Sequence, residues 1–411
     1  MITKVDDWTF NNANTRGYTH IYHDYPARMI PQVANKLLSI YGKEAKTLFD
    51  PYCGTGTSLV EGMLMGIDGI GTDLNPLARL IAQSKSDYNI NIKKLLECIE
   101  EFNEKVNNLK PEIPEIKNID FWFNNNVIIK LGKIKAFINL IEDDHINLFF
   151  KIAFSETVRE SSNTRRNEFK LFRYSKEKLS KWNPDPFIII NEKLHRNVKG
   201  LAEFIRKIKK LDKMPEIKIY GYNSVNEIPN NNIKEDYADI VVTSPPYGDS
   251  HTTVAYGQYS RLSSQWLSLI NENIDKKLMG GIKLKSIPDF PSKTLNEAIN
   301  IIASKNNKRA LEVASFYNDL QMSIKNVSKI IKLNGYSCYV VANRTVSSVI
   351  LPTSEAIKDF FEYYGFDHIN TYIREIPNKR MPIKNSPTNV AGETMNTMLN
   401  EHIVVMKKIK N

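Results

Sequence analysis

The feature that most constrains the fold is a strand, a glycine turn, a helix and a second strand that follow one another between residues 47 and 73. Residues 47–50 read as a short buried strand, and the turn over residues 51–57 carries two glycines. Helical spacing resumes over residues 58–65, and residues 69–73 predict a second strand that ends in an acid. Such units build parallel sheets, which bind nucleotides beyond the carboxyl ends of their strands. The pattern therefore predicts an α/β fold with a doubly wound, Rossmann-like sheet.

The spacing between the glycines and Asp73 favours nucleotide binding. The turn is not a Walker P-loop, because no Gly-Lys-Ser/Thr sequence follows to hold phosphate and magnesium. Taken singly, the turn could be a tight connection, and Asp73 fits a helix cap before Pro76. Asp73 lies about twenty residues beyond the glycines, however, where a nucleotide-binding unit places the acid that accepts hydrogen bonds from ribose hydroxyls.

Beyond residue 90 the pattern changes to long Lys/Glu-rich helical stretches, which continue to about residue 215. Strand patterns then return. Together with the first two strands they predict a sheet of about seven strands, with the further strands at 217–221, 237–243, 336–342, 371–376 and 402–406, the last two as a hairpin pair. We therefore divide the chain into the first part of a sheet domain (1–90), an inserted, mainly helical subdomain (91–215) and the second part of the sheet domain (216–411).

The charge balance favours a polyanionic partner. Lys and Arg total 56 against 46 Asp and Glu, which gives a formal charge of +10. Residues 151–181 hold nine of these cations against four acids. Nucleic acid is the leading partner, and a merely solvated basic surface is the alternative.

Composition also limits the compartment and the chemistry. The three cysteines lack metal-ligand spacing, and the seven histidines form no HxH or HxxxH cluster, so we expect neither a disulfide framework nor a metal site. The N-terminus is acidic and polar, and no apolar run approaches about 18 residues. We therefore expect a cytoplasmic protein without a membrane span.

A second turn carries a sharper chemical signal. The sequence Ser244-Pro245-Pro246-Tyr247 directly follows the strand predicted over residues 237–243. Two prolines stop the strand and stiffen the turn, so that its backbone carbonyls cannot rejoin a ladder. A serine hydroxyl and an aromatic ring flank these carbonyls, an arrangement that suits a planar amine. The alternative is a strand terminator followed by a surface tyrosine.

Together, the glycine turn and the Ser-Pro-Pro-Tyr turn resemble those of the S-adenosylmethionine-dependent DNA amino-methyltransferases, which methylate the exocyclic nitrogen of cytosine or adenine. The Ser-Pro-Pro-Tyr form is more typical of the cytosine-N4 branch. Residues 23–31 resemble the segment that covers the methionine end of the cofactor in this family, and residues 222–224 stand where the family contacts the adenine ring. The order of the motifs fits no single class of the family, because the insertion separates the second and third cofactor-binding strands.

The resemblance implies a set of residues that bind S-adenosylmethionine: Tyr25, Pro26, Asp50, Pro51, Cys53, Gly54, Thr55, Gly56, Thr57, Asp73, Leu74, Asn75, Asn223 and Ser224. It also implies that Ser244, Pro245, Pro246 and Tyr247 form the catalytic turn. We expect the Ser244 hydroxyl and the Pro245 carbonyl to accept hydrogen bonds from the target amine, and Tyr247 to stack on a base flipped out of the duplex. Cys53 is interpreted as a small packing residue and not as the nucleophile of a cytosine-C5 enzyme.

Together, these expectations predict a site-specific DNA methyltransferase. It would form N4-methylcytosine on double-stranded DNA by base flipping and direct in-line transfer of the methyl group. A restriction-modification system is its expected setting, with a cognate restriction endonuclease as a candidate partner. Three alternatives stay open: adenine-N6 methylation of DNA, methylation of an exocyclic amine in structured RNA, and a DNA-binding module without turnover.

The cationic block in the insertion is the predicted DNA-binding surface, with Arg159, Arg165, Arg166, Lys170 and Arg173 as its residues. If this run is helical, Arg166, Lys170 and Arg173 share one face at i, i+4 and i+7. A solvated helical face would explain the same residues.

Two other segments are candidates for contact with DNA. The loop over residues 249–310 is a candidate recognition loop, in which Asp249 and His251 could line the base pocket. A basic, proline-containing loop with Arg374, Lys379, Arg380 and Lys384 could follow phosphates.

Overall fold

The computed structural model describes residues 7–166, 168, 170–226, 228–248, 255–269, 274–376, 384–385, 395–396 and 400–410. Asp249, His251, Lys379 and Arg380 lie outside the described residues, so their predicted contacts stay predictions.

The described residues form fourteen α-helices: α1 (Pro31–Tyr41), α2 (Thr57–Leu64), α3 (Pro76–Lys85), α4 (Ile92–Lys105), α5 (Ile119–Trp122), α6 (Asn125–Leu140), α7 (Asp144–Ser161), α8 (Lys176–Ser180), α9 (Pro186–Ile208), α10 (Tyr256–Trp266), α11 (Ile274–Lys277), α12 (Lys293–Lys305), α13 (Asn307–Ile330) and α14 (Thr353–Tyr363). The strands are β1 (Thr47–Asp50), β2 (Asp68–Thr72), β3 (Ile217–Tyr220), β4 (Ala238–Thr243), β5 (Ile331–Val341), β6 (Arg344–Val346), β7 (Val349–Leu351), β8 (Phe366–Glu375), β9 (Lys384–Asn385), β10 (Met395–Asn396) and β11 (Asn400–Lys408). Short 3-10 helices cover Tyr18–Tyr22 and Val106–Asn108.

Seven strands form one sheet in the order β3-β2-β1-β4-β5-β11-β8. β1 pairs in parallel with β2 and β4, and the parallel pairing continues from β2 to β3 and from β4 to β5. β11 runs antiparallel between β5 and β8. The two halves of the sheet extend in opposite directions from β1, so the predicted doubly wound, seven-stranded α/β fold is confirmed, including the pairing of its last two strands.

Both faces of the central strands β1 and β4 are buried, because adjacent residues of a strand point to opposite faces and helices cover each face there. Leu48 and Ile240 belong to an apolar cluster that includes Leu37 of α1. Their neighbours Phe49 and Val241 belong to a second cluster formed with α12, α13 and α14. The central strands β1 and β4 are therefore held rigidly where their carboxyl ends meet.

The insertion between β2 and β3 is helical, as predicted, and contains α4 to α9. Its apolar side chains form one cluster with Leu77 and Ile81 of α3 and with Leu262 and Trp266 of α10. The helices are thus fastened to two helices that flank the sheet. The division of the chain into subdomains at residues 91 and 215 stays a prediction.

The helical face predicted for Arg166, Lys170 and Arg173 is wrong. α7 ends at Ser161, and the chain then folds back, with an antiparallel bridge between Thr164 and Arg173 and a hydrogen bond from the Arg165 N–H to the Phe172 carbonyl (2.8 Å). The C-cap Ser162 has an extended backbone (φ −72°, ψ 162°), and its hydroxyl bonds to the Arg159 carbonyl (2.8 Å) and to the Thr164 hydroxyl (2.7 Å). Such local bonds compete with helix continuation.

A close approach between α9 and the 3-10 helix Tyr18–Tyr22 generates a prediction about stability. A Cβ at Gly200 would collide with the Tyr18 carbonyl oxygen and lie 2.9 Å from the Ile21 side chain. Gly200→Ala should therefore lower the free energy of unfolding by about 1–3 kcal/mol, although the same change inside an unobstructed helix raises it by about 1 kcal/mol.

Denaturant unfolding measures this effect. Glu203→Ala, on the exposed side of the same helix, is the control and should change stability by less than about 0.5 kcal/mol. A stabilised Gly200→Ala variant would contradict the close packing of these two segments.

Candidate active site

A cleft of about 950 Å³, counted with its mouth, opens at the carboxyl ends of β1, β2 and β4. In doubly wound sheets, ligands bind where the strand order reverses, which here is between β1 and β4. Most of the cofactor-binding residues implied by the resemblance line this cleft, as do two of the catalytic turn: Tyr25, Pro26, Asp50, Pro51, Cys53, Gly54, Thr55, Thr57, Asp73, Leu74, Asn75, Asn223, Ser224, Ser244 and Pro246. Gly56, Pro245 and Tyr247 are not among its lining residues.

Asp50 is a buried acid in the cleft whose carboxylate accepts hydrogen bonds from three other residues. One carboxylate oxygen accepts hydrogen bonds from the Tyr52 N–H (3.1 Å) and the Thr243 hydroxyl (2.5 Å), and the other accepts from the Ser58 hydroxyl. Burial outweighs these hydrogen bonds and raises the pKa of the Asp50 carboxyl to about 6. The carboxyl thus joins the glycine turn, α2 and the end of β4.

Asp73 joins the end of β2 to the same turn. Its two oxygens accept hydrogen bonds from the Gly54 N–H (3.0 Å) and the Asn75 N–H (2.7 Å). The N-cap of α3 is Asn75, whose side chain accepts from the Leu77 N–H. Each Asp73 oxygen keeps acceptor capacity, because a carboxylate offers about four lone-pair sites. The carboxylate can therefore receive hydroxyl donors from a ligand in the cleft.

The glycine turn fits a polar ligand. Gly54 and Gly56 have φ values of +49° and +74°, a backbone conformation that favours glycine. Between them, the Thr55 hydroxyl oxygen is buried and has no hydrogen-bond partner in the described part of the chain. Because buried polar atoms are normally paired, this orphaned hydroxyl fits a polar group of the bound cofactor.

The segment before α1 forms one wall of the cleft. The Asn75 amide donates to the Tyr25 hydroxyl (2.8 Å) and to the Ser260 hydroxyl (3.1 Å), which fastens this wall to α3 and α10. The rings of Tyr25 and Tyr256 lie nearly parallel, with centroids 6.0 Å apart. An aromatic, largely dry wall results.

The opposite wall is the loop after β3. Ser224 is buried and accepts a hydrogen bond from the Ser323 hydroxyl of α13 (2.7 Å), while Asn326 donates to the Ser224 carbonyl (3.0 Å). Asn223 and Tyr222 line the cleft beside it. α13 therefore holds the position of this loop.

The Ser-Pro-Pro-Tyr turn reaches the cleft through Ser244 and Pro246. The Ser244 hydroxyl donates to the Tyr247 hydroxyl (3.3 Å), which in turn donates to Glu401 on β11 (2.9 Å). The Tyr247 hydroxyl therefore lies between the Ser244 hydroxyl and the Glu401 carboxylate. The predicted stacking of its ring on a flipped base stays a prediction.

Several cleft residues are absent from the predicted set of cofactor-binding residues: Ala27, Arg28, Met29, Tyr52, Ser58, Tyr222, Tyr256, Leu278 and Met279. Arg28, Tyr52 and Tyr222 lie inside segments that the resemblance covers, so proximity to a motif was the available signal. Tyr256, Leu278 and Met279 follow no motif, and only the folded chain brings them to the cleft.

Two further predictions concern Cys53 as a nucleophile and the presence of a metal site. Cys53 is 5% exposed, and burial raises the pKa of its thiol well above the ordinary value, which disfavours the nucleophilic thiolate. Among the described residues, no group of three or more His, Cys, Asp or Glu side chains could hold a metal ion.

Four of the five predicted DNA-binding cations lie in the folded-back segment after α7. Arg165, Arg166 and Lys170 are exposed, and Arg173 lies over the Phe121 ring, 4.4 Å from its centroid. The Leu171 N–H contacts the Gln258 side chain of α10 (3.4 Å), so this segment lies beside the helix whose first residue, Tyr256, lines the cleft.

Arg159 does not belong to this surface, and its prediction as a DNA-binding residue is wrong. It is 5% exposed, lies over the Tyr259 ring at 5.0 Å and donates to the Glu168 carbonyl (2.7 Å). Burial lowers the pKa of its guanidinium. Arg159 therefore supports the packing of α7 against α10.

No helix within the described ranges is long and apolar enough to cross a membrane.

Comparison with known proteins identifies the family of the chain. Residues 16–110 match the family model UPF0020, the RMKL-like methyltransferase domain. Type II methyltransferase M.MvaI of Kocuria varians is 42% identical over 98% of this chain and 94% of its own length. Type II methyltransferase M.MjaII of Methanocaldococcus jannaschii is 38% identical over 19% of this chain and 15% of its own length.

Among solved structures, the rRNA methyltransferase aviRa of Streptomyces viridochromogenes is 9% identical, with a TM-score of 0.36 over 94% of this chain and 89% of that chain. The 42% identity to M.MvaI along nearly the whole chain shows the family. With its methyltransferase sheet and cofactor cleft, the chain belongs to the S-adenosylmethionine-dependent type II DNA methyltransferases.

Proposed function

We propose that the chain methylates the N4 amine of cytosine at a specific site in double-stranded DNA, as part of a restriction-modification system. The observation that supports this most directly is the position of Ser244, which lines the same cleft as Asp50, Asp73 and Thr55. Ser244, which directly follows β4, therefore lies beside the proposed cofactor site. Ser-Pro-Pro-Tyr is the form typical of the cytosine-N4 branch.

When bound, S-adenosylmethionine supplies a methyl group on a positively charged sulfur, which keeps the bonding electron pair as the methyl carbon bonds to a nucleophile. In this proposal Asp73 accepts hydrogen bonds from the ribose hydroxyls. The loop over residues 222–224 contacts the adenine ring, and the Tyr25 wall covers the methionine end. The Thr55 hydroxyl pairs with a polar group of the bound cofactor.

The chain's task in the reaction is to orient the amine. Its lone pair is delocalised into the cytosine ring, which makes it a weak nucleophile. Hydrogen bonds from its two N–H groups to the Ser244 oxygen and the Pro245 carbonyl favour tetrahedral geometry and turn the lone pair toward the methyl carbon. The methylated nitrogen then loses one proton to solvent water, which leaves neutral N4-methylcytosine. The base has to leave the duplex to reach this cleft, so we include base flipping in the proposal.

The surface that holds the duplex is proposed to be the folded-back segment with Arg165, Arg166, Lys170 and Arg173. It lies beside α10 and carries its cations next to the exposed aromatic residues Phe121 and Phe172. Cations that neutralise phosphates give affinity independent of sequence.

Identification of the methylated nucleoside tests the proposed function. DNA methylated by the wild-type chain should yield N4-methyldeoxycytidine when its nucleosides are analysed by mass spectrometry. Ser244→Ala should lower the single-turnover rate by about 10²-fold or more while cofactor affinity stays unchanged, because the hydroxyl acts on the amine. N6-methyladenine as the sole product would contradict the cytosine assignment.

The ribose contact gives a second prediction. Asp73→Ala should weaken S-adenosylmethionine binding by about 1.5–3 kcal/mol, the scale of charge-assisted hydrogen bonds. Asp73→Asn, which keeps one acceptor oxygen for the backbone, should lose less. Calorimetry measures both affinities, with Asp212→Ala, an exposed acid before β3, as the control. An unchanged affinity in Asp73→Ala would remove the residue from the cofactor site.

The proposed DNA-binding surface gives a third prediction. Replacing Arg165 and Lys170 with alanine should weaken DNA binding and flatten the slope of log affinity against log salt by about 0.9 per lost phosphate contact. Lys43→Ala, an exposed change before β1, is the control. If the double replacement leaves the salt slope at its wild-type value, phosphates are held elsewhere on the chain.

A further inference from the structure

A chain of hydrogen bonds leads from the catalytic turn to a carboxylate that the proposed reaction does not yet use. Ser244 donates to Tyr247 (3.3 Å), and Tyr247 donates to one oxygen of Glu401 (2.9 Å). The other Glu401 oxygen is paired with the Arg374 guanidinium, whose Nε donates to the Trp8 carbonyl (3.0 Å). The Glu401 and Arg374 side chains are 15% and 7% exposed, so this pair is mostly shielded from water.

The antiparallel direction of β11 explains how Glu401 reaches this place. β11 pairs with β5 so that His402 lies opposite Val341, the last residue of β5. The beginning of β11 therefore meets the carboxyl ends of the parallel strands, where the catalytic turn also lies. A parallel strand at this position would have placed its first residues at the opposite edge of the sheet.

The carboxylate sets the direction of the whole chain of hydrogen bonds. An ionised carboxylate can only accept, so the single hydrogen of the Tyr247 phenol is used on Glu401. Burial raises the pKa of the Tyr247 phenol well above its ordinary value, which keeps that hydrogen in place. The phenol oxygen is then available only as an acceptor, and it takes the hydrogen of Ser244. The Ser244 oxygen is left with lone pairs alone to present to the cleft.

We infer that Glu401 is a positioning residue, which acts through Tyr247 to keep the Ser244 oxygen a hydrogen-bond acceptor toward the target amine. This inference rests on the proposed function, in which an exocyclic amine donates an N–H to Ser244. The Ser244–Tyr247 distance of 3.3 Å is long for two hydroxyls. Catalytic hydrogen bonds are often long in the unliganded state and tighten when substrate binds.

Replacing Glu401 with glutamine should reverse this direction. Arg374 has only donors and will hold the amide oxygen, so the amide NH₂ faces Tyr247 and donates to the phenol oxygen. The phenol hydrogen then turns toward Ser244, whose own hydrogen is released toward the cleft, where it opposes the N–H of the amine. The variant is nearly isosteric, so packing is preserved while the direction of the hydrogen bonds is lost.

The experiment compares Glu401→Gln, Glu401→Asp, Tyr247→Phe and the double variant Glu401→Gln/Tyr247→Phe. Single-turnover methyl transfer is measured at saturating cofactor and DNA, together with both affinities and the melting temperature. Glu401→Gln and Tyr247→Phe should each lower the rate by about 10- to 100-fold. Both affinities should stay within about twofold of wild type, since neither residue lines the cleft. The double variant should be no slower than the slower single variant, because both changes break the same chain.

The order of the two Glu401 variants separates orientation from packing. Asp is the larger change in shape but keeps an acceptor-only carboxylate, so Glu401→Asp should retain more activity than Glu401→Gln. A residue that only supported the fold would rank them in the opposite order. Glu375→Gln, an exposed change at the end of the neighbouring strand β8, is the matched control and should keep the wild-type rate.

Three results would overturn the inference: a wild-type rate in Glu401→Gln, a double variant whose loss is the product of the single losses, or a Glu401→Asp variant slower than Glu401→Gln. The wild-type product is read separately. N6-methyladenine from the wild-type chain would contradict the proposed cytosine target, but it would leave the inference standing, because the adenine amine donates an N–H in the same way.

Discussion

The position of the two functional turns depends on one buried carboxylate. Asp50 lies at the end of β1 and is 3% exposed. Its oxygens accept hydrogen bonds from the glycine turn, from Ser58 at the start of α2 and from Thr243 at the end of β4. Since Thr243 immediately precedes Ser244, the carboxyl sets the distance between the cofactor turn and the catalytic turn. Burying an acid is costly unless it is hydrogen-bonded, and here every bond joins a different element of the site.

The catalytic turn is held from its other side by β11. Thr243 is tied to β1, while Tyr247 is tied to Glu401 on the antiparallel strand of the sheet. Two prolines between these anchors stiffen the backbone. Ser244 therefore lines the cleft between two points that belong to different strands, so the proposed binding of an amine needs little rearrangement. Such preorganisation is the main contribution available to an enzyme whose cofactor already carries an activated group.

The insertion carries the surface that we propose to hold DNA. Its helices share one apolar cluster with α3 and α10, so the folded-back segment after α7 is carried on a rigid base beside the cleft. Within that segment, cations lie over or near aromatic rings: Arg166 over Trp182 at 5.1 Å and Arg173 over Phe121 at 4.4 Å. Rings that hold guanidinium groups reduce the entropy lost when those groups contact phosphates.

Local sequence determined the sheet strands near the site, because prolines cannot continue a strand and glycines mark turns with a positive φ. The motif resemblance identified most of the cleft residues. Three features were decided only by the tertiary structure. Arg159 lies inside because α7 packs on α10. The segment after α7 folds back where the Asn163 N–H bonds to the Trp122 carbonyl (2.7 Å) and the Leu171 N–H bonds to the Gln258 side chain (3.4 Å). Glu401 reaches the catalytic turn because β11 runs antiparallel beside β5, and a contact between residues more than 150 positions apart leaves no periodic signal along the chain.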